Sequence, residues 1–181
     1  LKKIETGIVI KQDILENQAK TVFLAIGSNL GDKKLNIERA KIKLLDYRIK
    51  ILKSSNFYKS NSWPDKKNPK FLNIVIKVKT NKSPLDLLNI CKLIEKSLGR
   101  KKAYKNAPRI CDIDIVDYNK KIINLVDKKL ILPHPSLHKR NFVLLPLYEI
   151  NRSWKHPKYK TNIVKLINSL TIYDLRSIKR I

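Results

Sequence analysis

The chain has 181 residues, 43% of them hydrophobic, enough for one buried core and a single domain. No apolar run approaches the roughly 18 residues of a membrane span, and no secretory leader or membrane helix is expected. The formal charge of +25 would draw polyanions, yet 32 Lys against eight Arg, with 25 Ile and 16 Asn spread along the chain, read as compositional bias before a dedicated nucleic-acid surface.

Residues 1–20 have apolar content but no clear link onward, and are expected to be an extension or linker ahead of a domain spanning 21–181. Met is absent throughout, position 1 included, as in a trimmed product or a fragment of a longer chain. "TVFLAIGSNLGD" predicts an apolar strand running into a Gly-Ser-Asn turn. Lys33 to Asp46 then carries Leu35, Ala40, Leu44 and Leu45 near helical spacing, with Asp32 as N-cap. "IKILKSSNFYKS" and "FLNIVIKVKT" alternate like half-buried antiparallel strands, joined by a polar loop in which Trp63 is exposed.

The clearest helix is "NKSPLDLLNICKLIEKSLGR": Ser83 caps it, Pro84 suits its first turn, Leu87, Leu88, Cys91 and Ile94 form an apolar stripe, and Gly99 stops it. A basic loop, "KKAYKNAP", leads to a strand beginning near Cys111, a "DYNKK" turn, a short "IINL" strand and "LILPHP". "HKRNFVLLPLYEI" reads as helix up to Pro146, and another helix is expected near Asn162 to Leu170. Hairpin-like neighbours and few long helices argue for α+β with a mostly antiparallel sheet, against a doubly wound parallel one. Cys91 and Cys111, on a helix and a strand, are expected to be free buried thiols in a reducing compartment, by default the cytoplasm.

Within "PRICDIDIVDY", residues 108–118, Cys111, Ile113 and Ile115 alternate with Asp112, Asp114 and Val116. Aspartate is depleted in strands. Two carboxylates at i and i+2 project from one face, with Cα atoms roughly 6.6 Å apart, and can converge on a divalent cation. An exposed acidic face paired with nearby lysines explains the same pattern equally well. Arg109 leads into the strand and Arg100 and Lys102 precede it in the basic loop, a set suited to steadying a polyphosphate or simply to a solvated loop. His134 and Arg140 lie near a strand end, and the amide of Asn73 can either read a planar heterocycle or cap a turn. Neither G-x-x-x-x-G-K-[ST] nor G-x-G-x-x-G occurs, so any nucleotide site has another design.

In order, "AIGSNLGD", "SSNFYKS", "FLN", E-x-x-L-G-R from Glu95, "PRxxDxDI" and "LPHPxxxxRxFVLxPL" resemble the 6-hydroxymethyl-7,8-dihydropterin pyrophosphokinases of folate biosynthesis, from about Thr21 to Glu149. The resemblance implies a three-layer, ferredoxin-like α+β fold with helices on both sides of a mostly antiparallel sheet. It implies transfer of pyrophosphate from ATP, the co-substrate, to the pterin hydroxymethyl group, with release of AMP. Asp112 and Asp114 would hold two Mg²⁺ ions. Glu95, Arg109, His134 and Arg140 would contact ATP, with Ile113 and Ile115 beneath. Arg100 and Lys102 would be the loop cations that close over the phosphates, completing a catalytic set with Arg109 and the two aspartates. Asn73, Phe71, Phe142 and Ser60 would hold the pterin, with Trp63 as an apolar wall. A cytoplasmic monomer is expected, fusion to or association with another folate enzyme being open. The rival reading is a basic ferredoxin-like RNA-binding module, which two acidic side chains on a central strand and the lack of an RNP-type aromatic run disfavour.

Overall fold

Strand β1 (Lys20–Ser28) pairs antiparallel with β4 (Phe71–Thr80) on one side and β5 (Asp112–Tyr118) on the other, at the centre of a six-stranded sheet. The computed structural model describes residues 19–181 except 63, 64, 66, 102, 105, 126, 128 and 129; the expectations for residues 1–18, Trp63 and Lys102 therefore lie outside the described residues. The far edge of β4 is shared by β2 (Lys50–Ser54) and β3 (Tyr58–Ser60), and β8 (Ile178–Arg180) pairs with β3, giving the order β5-β1-β4-β3-β8. A separate hairpin joins β6 (Ile123–Leu125) to β7 (Leu130–Leu132).

Helices α1 (Lys33–Asp46) and α2 (Pro84–Ser97) cover one face. Asp32 accepts from the Leu35 N–H, Ser83 accepts from the Asp86 N–H, and Gly99 takes a φ of 98° just past α2, as the sequence pattern requires. Val22, Leu24, Ile26, Ile74, Ile76 and Ile113 meet Ile37, Leu44, Leu87 and Ile94 in this layer's core. Helix α3 (Asn141–Ile150) covers the opposite face, where Phe23, Val75 and Val116 meet Val143, Leu144 and Leu147 in a second core that also takes in α4 (Ile163–Asn168). Helices on both sides of an antiparallel sheet make the fold α+β, ferredoxin-like and three-layered.

Several expectations are corrected. In α1 the buried stripe runs through Asn36, Ile37, Ala40 and Leu44, while Leu35 and Leu45 are exposed, because helix phase relative to the sheet decides which of two adjacent leucines is covered. Pro146 does not end α3: the helix passes through it to Ile150, losing one backbone bond while burying the ring. The stretch 50–60 is two strands, broken where Ser55 exchanges hydrogen bonds with Val75 through its backbone N–H and side chain. Helix α5 (Ile172–Arg176) and β8 were not anticipated. Pairing also slips by one residue at Val116: Leu24 faces Ile115 while Phe23 faces Asp117. This bulge brings Asp117 to the face that carries Asp112 and Asp114.

Candidate active site

Antiparallel register sets Asp112 opposite Gly27, Gly27 opposite Asn73, and Asn73 opposite Tyr58. Partners in a ladder share a face, so these residues form a row across four strands on the α3 side. Ala25 faces Asp114 one step further in. Helix α3 delivers Phe142 over the row, and Arg140 enters from the residue before the helix. A cavity there is lined by Gly27, Ser60, Phe71, Asn73, Arg109 and Phe142, with Asp112 and Arg140 at its side.

Gly27 keeps this cavity open. A Cβ at that position would lie 2.9 Å from Asn73 Oδ1 and 3.3 Å from Phe71 Cδ1. The Asn73 amide Nδ2 donates to Ser60 Oγ at 2.9 Å, which fixes its orientation and turns Oδ1 towards Gly27. Ser60 thus contributes its side chain as a positioning group.

Asp112 and Asp114 share a face, as the alternation predicts, but their counter-ions are arginines rather than scattered lysines. Arg100 Nη1 lies 2.7 Å from Asp112 Oδ1, Arg109 Nε 3.6 Å from Asp112 Oδ2, and Arg140 Nη1 3.1 Å from Asp114 Oδ2. Two of these guanidiniums also rest on the pocket's aromatic rings: Arg109 over Phe71 at 5.7 Å and Arg140 over Phe142 at 5.6 Å. Burial and the Asp114 charge raise the Asp112 carboxyl above its ordinary range, against the pull of Arg109 and Arg100. A cation bound there would relieve that cost.

Glu95 sits beneath the pair. Its Oε1 accepts the Ile113 N–H at 2.7 Å, between the two aspartates in sequence, and its Oε2 lies 2.6 Å from Arg100. Burial pushes its pKa up to about 7, with the Ile113 N–H opposing and the Asp112 charge adding. His134 stands 3.9 Å from Asp114 and 3.3 Å from Arg140 through Nε2, while Nδ1 accepts the Ser136 N–H. Burial and the neighbouring Arg140 lower its pKa to about 4, so it is neutral at pH 7. Sequence reasoning missed Asn29, although the motif containing it was noticed: Asn29 Oδ1 accepts the Arg109 N–H at 2.7 Å and Nδ2 donates to Pro69 at 3.1 Å, tying together the loops on either side of the pocket.

Two further clefts open beside the aspartates. One, of about 400 Å³, lies between β5 and the β6–β7 hairpin and is lined by Leu88, Ile113, Ile115, Leu130 and Leu132, with Asp114 and His134 at its mouth. The other, about 560 Å³, is lined by Lys92, Lys96, Arg100, Lys101, Tyr104 and Arg109. Among the described residues no cluster of three or more His, Cys, Asp or Glu side chains could hold a metal. Two carboxylates among arginines nonetheless fit Mg²⁺, which binds hard oxygens and relies on few protein ligands when a substrate's phosphates supply the others.

These features define a class: an α+β protein whose acidic, cation-ready pair lies between an aromatic pocket, an apolar slot and a basic cleft. Comparison with known proteins is narrower. Residues 23–152 match the model of the 7,8-dihydro-6-hydroxymethylpterin-pyrophosphokinase (HPPK) family, and the chain belongs to that family. It is 42% identical over 140 residues to 2-amino-4-hydroxy-6-hydroxymethyldihydropteridine pyrophosphokinase of Aquifex aeolicus, covering 77% of this chain and 86% of that protein. It is 38% identical over 167 residues to the folic acid synthesis protein fol1 of Pneumocystis carinii, 92% of this chain but 22% of that one. Plasmodium falciparum HPPK-DHPS, solved with pterin and p-hydroxybenzoate, shares the fold with a TM-score of 0.69 at 18% identity, over 91% of this chain and 48% of that chain. The chain thus spans nearly all of one relative and less than half of the other two.

Proposed function

We propose that this chain transfers the terminal diphosphoryl unit of ATP to the hydroxymethyl oxygen of 6-hydroxymethyl-7,8-dihydropterin. The hydroxymethyl oxygen loses its proton to solvent and bonds to the β-phosphorus, the bond from that phosphorus to the α,β-bridging oxygen breaks, and AMP leaves with the bridging oxygen. The observation that carries the reading is the Asp112–Gly27–Asn73 row, which puts a carboxylate beside a pocket with two phenylalanines and a fixed amide.

The pterin ring would lie against Phe71 and Phe142, with Asn73 reading its edge. The apolar slot behind Asp114 suits the adenine ring, which leaves the triphosphate to cross the aspartates towards Arg100, Arg109 and Arg140. Asp112 and Asp114 would hold two Mg²⁺ ions, whose chemistry is to neutralise phosphate charge and align the phosphates. His134, neutral, offers a hydrogen bond without adding charge. Among the described residues no side chain stands out as a general base, so positioning and charge neutralisation supply most of the acceleration. Glu95, expected to touch ATP, also fixes β5 and Arg100 from beneath. Two buried free thiols, Cys91 and Cys111, accord with a reducing, cytoplasmic setting.

AMP release that requires both ATP and the hydroxymethyl pterin is the direct assay. Asp112→Asn or Asp114→Asn should reduce it by roughly a thousandfold or more with the fold retained. Near-normal turnover in either variant refutes the assignment of the pair.

A further inference from the structure

The α3 face of the sheet carries a second polar row. Asp117 faces Phe23 and Phe23 faces Lys77, four residues back along β1 from Gly27, or roughly 13 Å at strand spacing. Beyond this row opens a cleft of about 700 Å³, at the end of the sheet opposite the candidate active site.

Lys77, Lys120, Lys155 and Lys160 line the cleft, and none of the four forms a salt bridge among the described residues. Asp117 is the one carboxylate among the described lining residues, and both its oxygens are engaged. Oδ2 accepts Trp154 Nε1–H and Oδ1 accepts the Lys120 N–H, each at 2.8 Å. His156 lines the cleft wall with its protonation fixed. It is 2% exposed, and its Nδ1 accepts the backbone N–H groups of Lys158 and Tyr159, each at 3.2 Å. A neutral imidazole with Nδ1 accepting carries its proton on Nε2. Burial and the charges of His138 and Lys158 hold its pKa near 4, so that tautomer persists at neutral pH. The cleft therefore presents four lysine side chains around one carboxylate that is already satisfied.

We propose that this cleft is a second anion-binding site, which takes a small ligand bearing a diphosphate group. Several ammoniums around one concavity repel one another unless a multivalent anion lies between them. A nucleic-acid strand fits less well, because such strands rely on exposed aromatic platforms and Trp154 is buried at 2% exposure. Ser153 to Lys160 lie beyond the stretch that matches the family, residues 23–152. The site is independent of the transfer reaction proposed above.

The test is a ¹H–¹⁵N titration of the full chain with sodium pyrophosphate, in chelator to exclude divalent cations. The Trp154 indole N–H and the Lys120 amide should shift saturably. Lys155→Ala/Lys160→Ala, which removes two exposed side chains, should weaken that response roughly tenfold. Shifts at the Ile113 amide, beside the aspartates, should be the same in both proteins. A parallel titration with ADP separates ligand sources: equal affinity marks recognition of the diphosphate alone, and tighter binding marks an organic group held with it. Either result supports the site. Shifts confined to Ile113, or a Trp154 response that fails to saturate or survives the double variant unchanged, overturn it. So does a single-stranded oligonucleotide that shifts Trp154 with length-dependent, salt-steep affinity while pyrophosphate does not, since the surface would then be a nucleic-acid one.

Discussion

Arg100 bridges Glu95 and Asp112 through one nitrogen: Nη1 lies 2.6 Å from Glu95 Oε2 and 2.7 Å from Asp112 Oδ1. Without it, the buried Glu95 carboxylate and the half-buried Asp112 carboxylate are left without the charge between them. Arg100→Ala should therefore destabilise the ligand-free protein by about 1–2 kcal/mol. Magnesium or manganese without nucleotide should narrow the gap to wild type, because a bound cation replaces the missing charge at Asp112. Thermal unfolding with and without these ligands checks it. A gap that stays constant would mean that Arg100 and the cations do not share Asp112.

Gly27 faces Asn73 across the ladder, and its lack of a side chain leaves room for the ring pocket. Gly27→Ala should raise the pterin KM roughly tenfold or more and lower stability by only about 1–2 kcal/mol, since the added carbon displaces the Asn73 amide and Phe71 rather than the apolar core. Steady-state kinetics beside a melting curve separate the two effects. An unaltered pterin KM would show that the ring binds elsewhere.

His156 is held near pKa 4, below the ordinary 6.5, by burial and by the charges of His138 and Lys158. A depressed histidine is neutral when folded and protonates more readily when unfolded. Its contribution is therefore complete above pH 6.5 and is lost as pH falls towards 4, on the order of 3 kcal/mol over that window. His134 titrates in the same direction, so the reading is a difference. Denaturant melts of His156→Gln should show a shallower acid loss than wild type, and parallel curves would contradict this.

Asn141, buried at the start of α3, donates to Ser177 Oγ at 2.9 Å and to the Asp174 carbonyl, anchoring α5 and β8 beside Phe142. Asn141→Ala should cost about 1–2 kcal/mol. It should also speed amide exchange in Ile178 to Arg180, where β8 pairs with β3. Unchanged exchange there would show that the strand pairing holds the tail unaided.

The well-read parts of the sequence are those where local chemistry is decisive. The Ser83 cap, the Gly99 stop, the Asp32 cap and the alternation around Asp112 each depend on a few adjacent residues, and each stands as read. The errors arise where distant contacts outweigh local preference. Leu45 looks as apolar as Leu44 but faces solvent, Pro146 sits inside a helix whose packing outweighs one lost bond, and the Val116 bulge reverses the facing of Asp117. Asn29 lies in the Gly-Ser-Asn turn after β1, yet its role depends on loops 40 and 80 residues away, which no local pattern encodes.

The order of residues alone determined the element types, the α+β class, the paired carboxylates and the membership of a family, because periodicity, caps and motif spacing are properties of the chain itself. The tertiary structure decided which cation meets which carboxylate, that Glu95 accepts the Ile113 N–H and pairs with Arg100, and that Gly27 must be bare for Asn73 to face a pocket. Those relations depend on strand register and on helices crossing the sheet. Both are fixed only when distant segments pack together and bury their apolar faces.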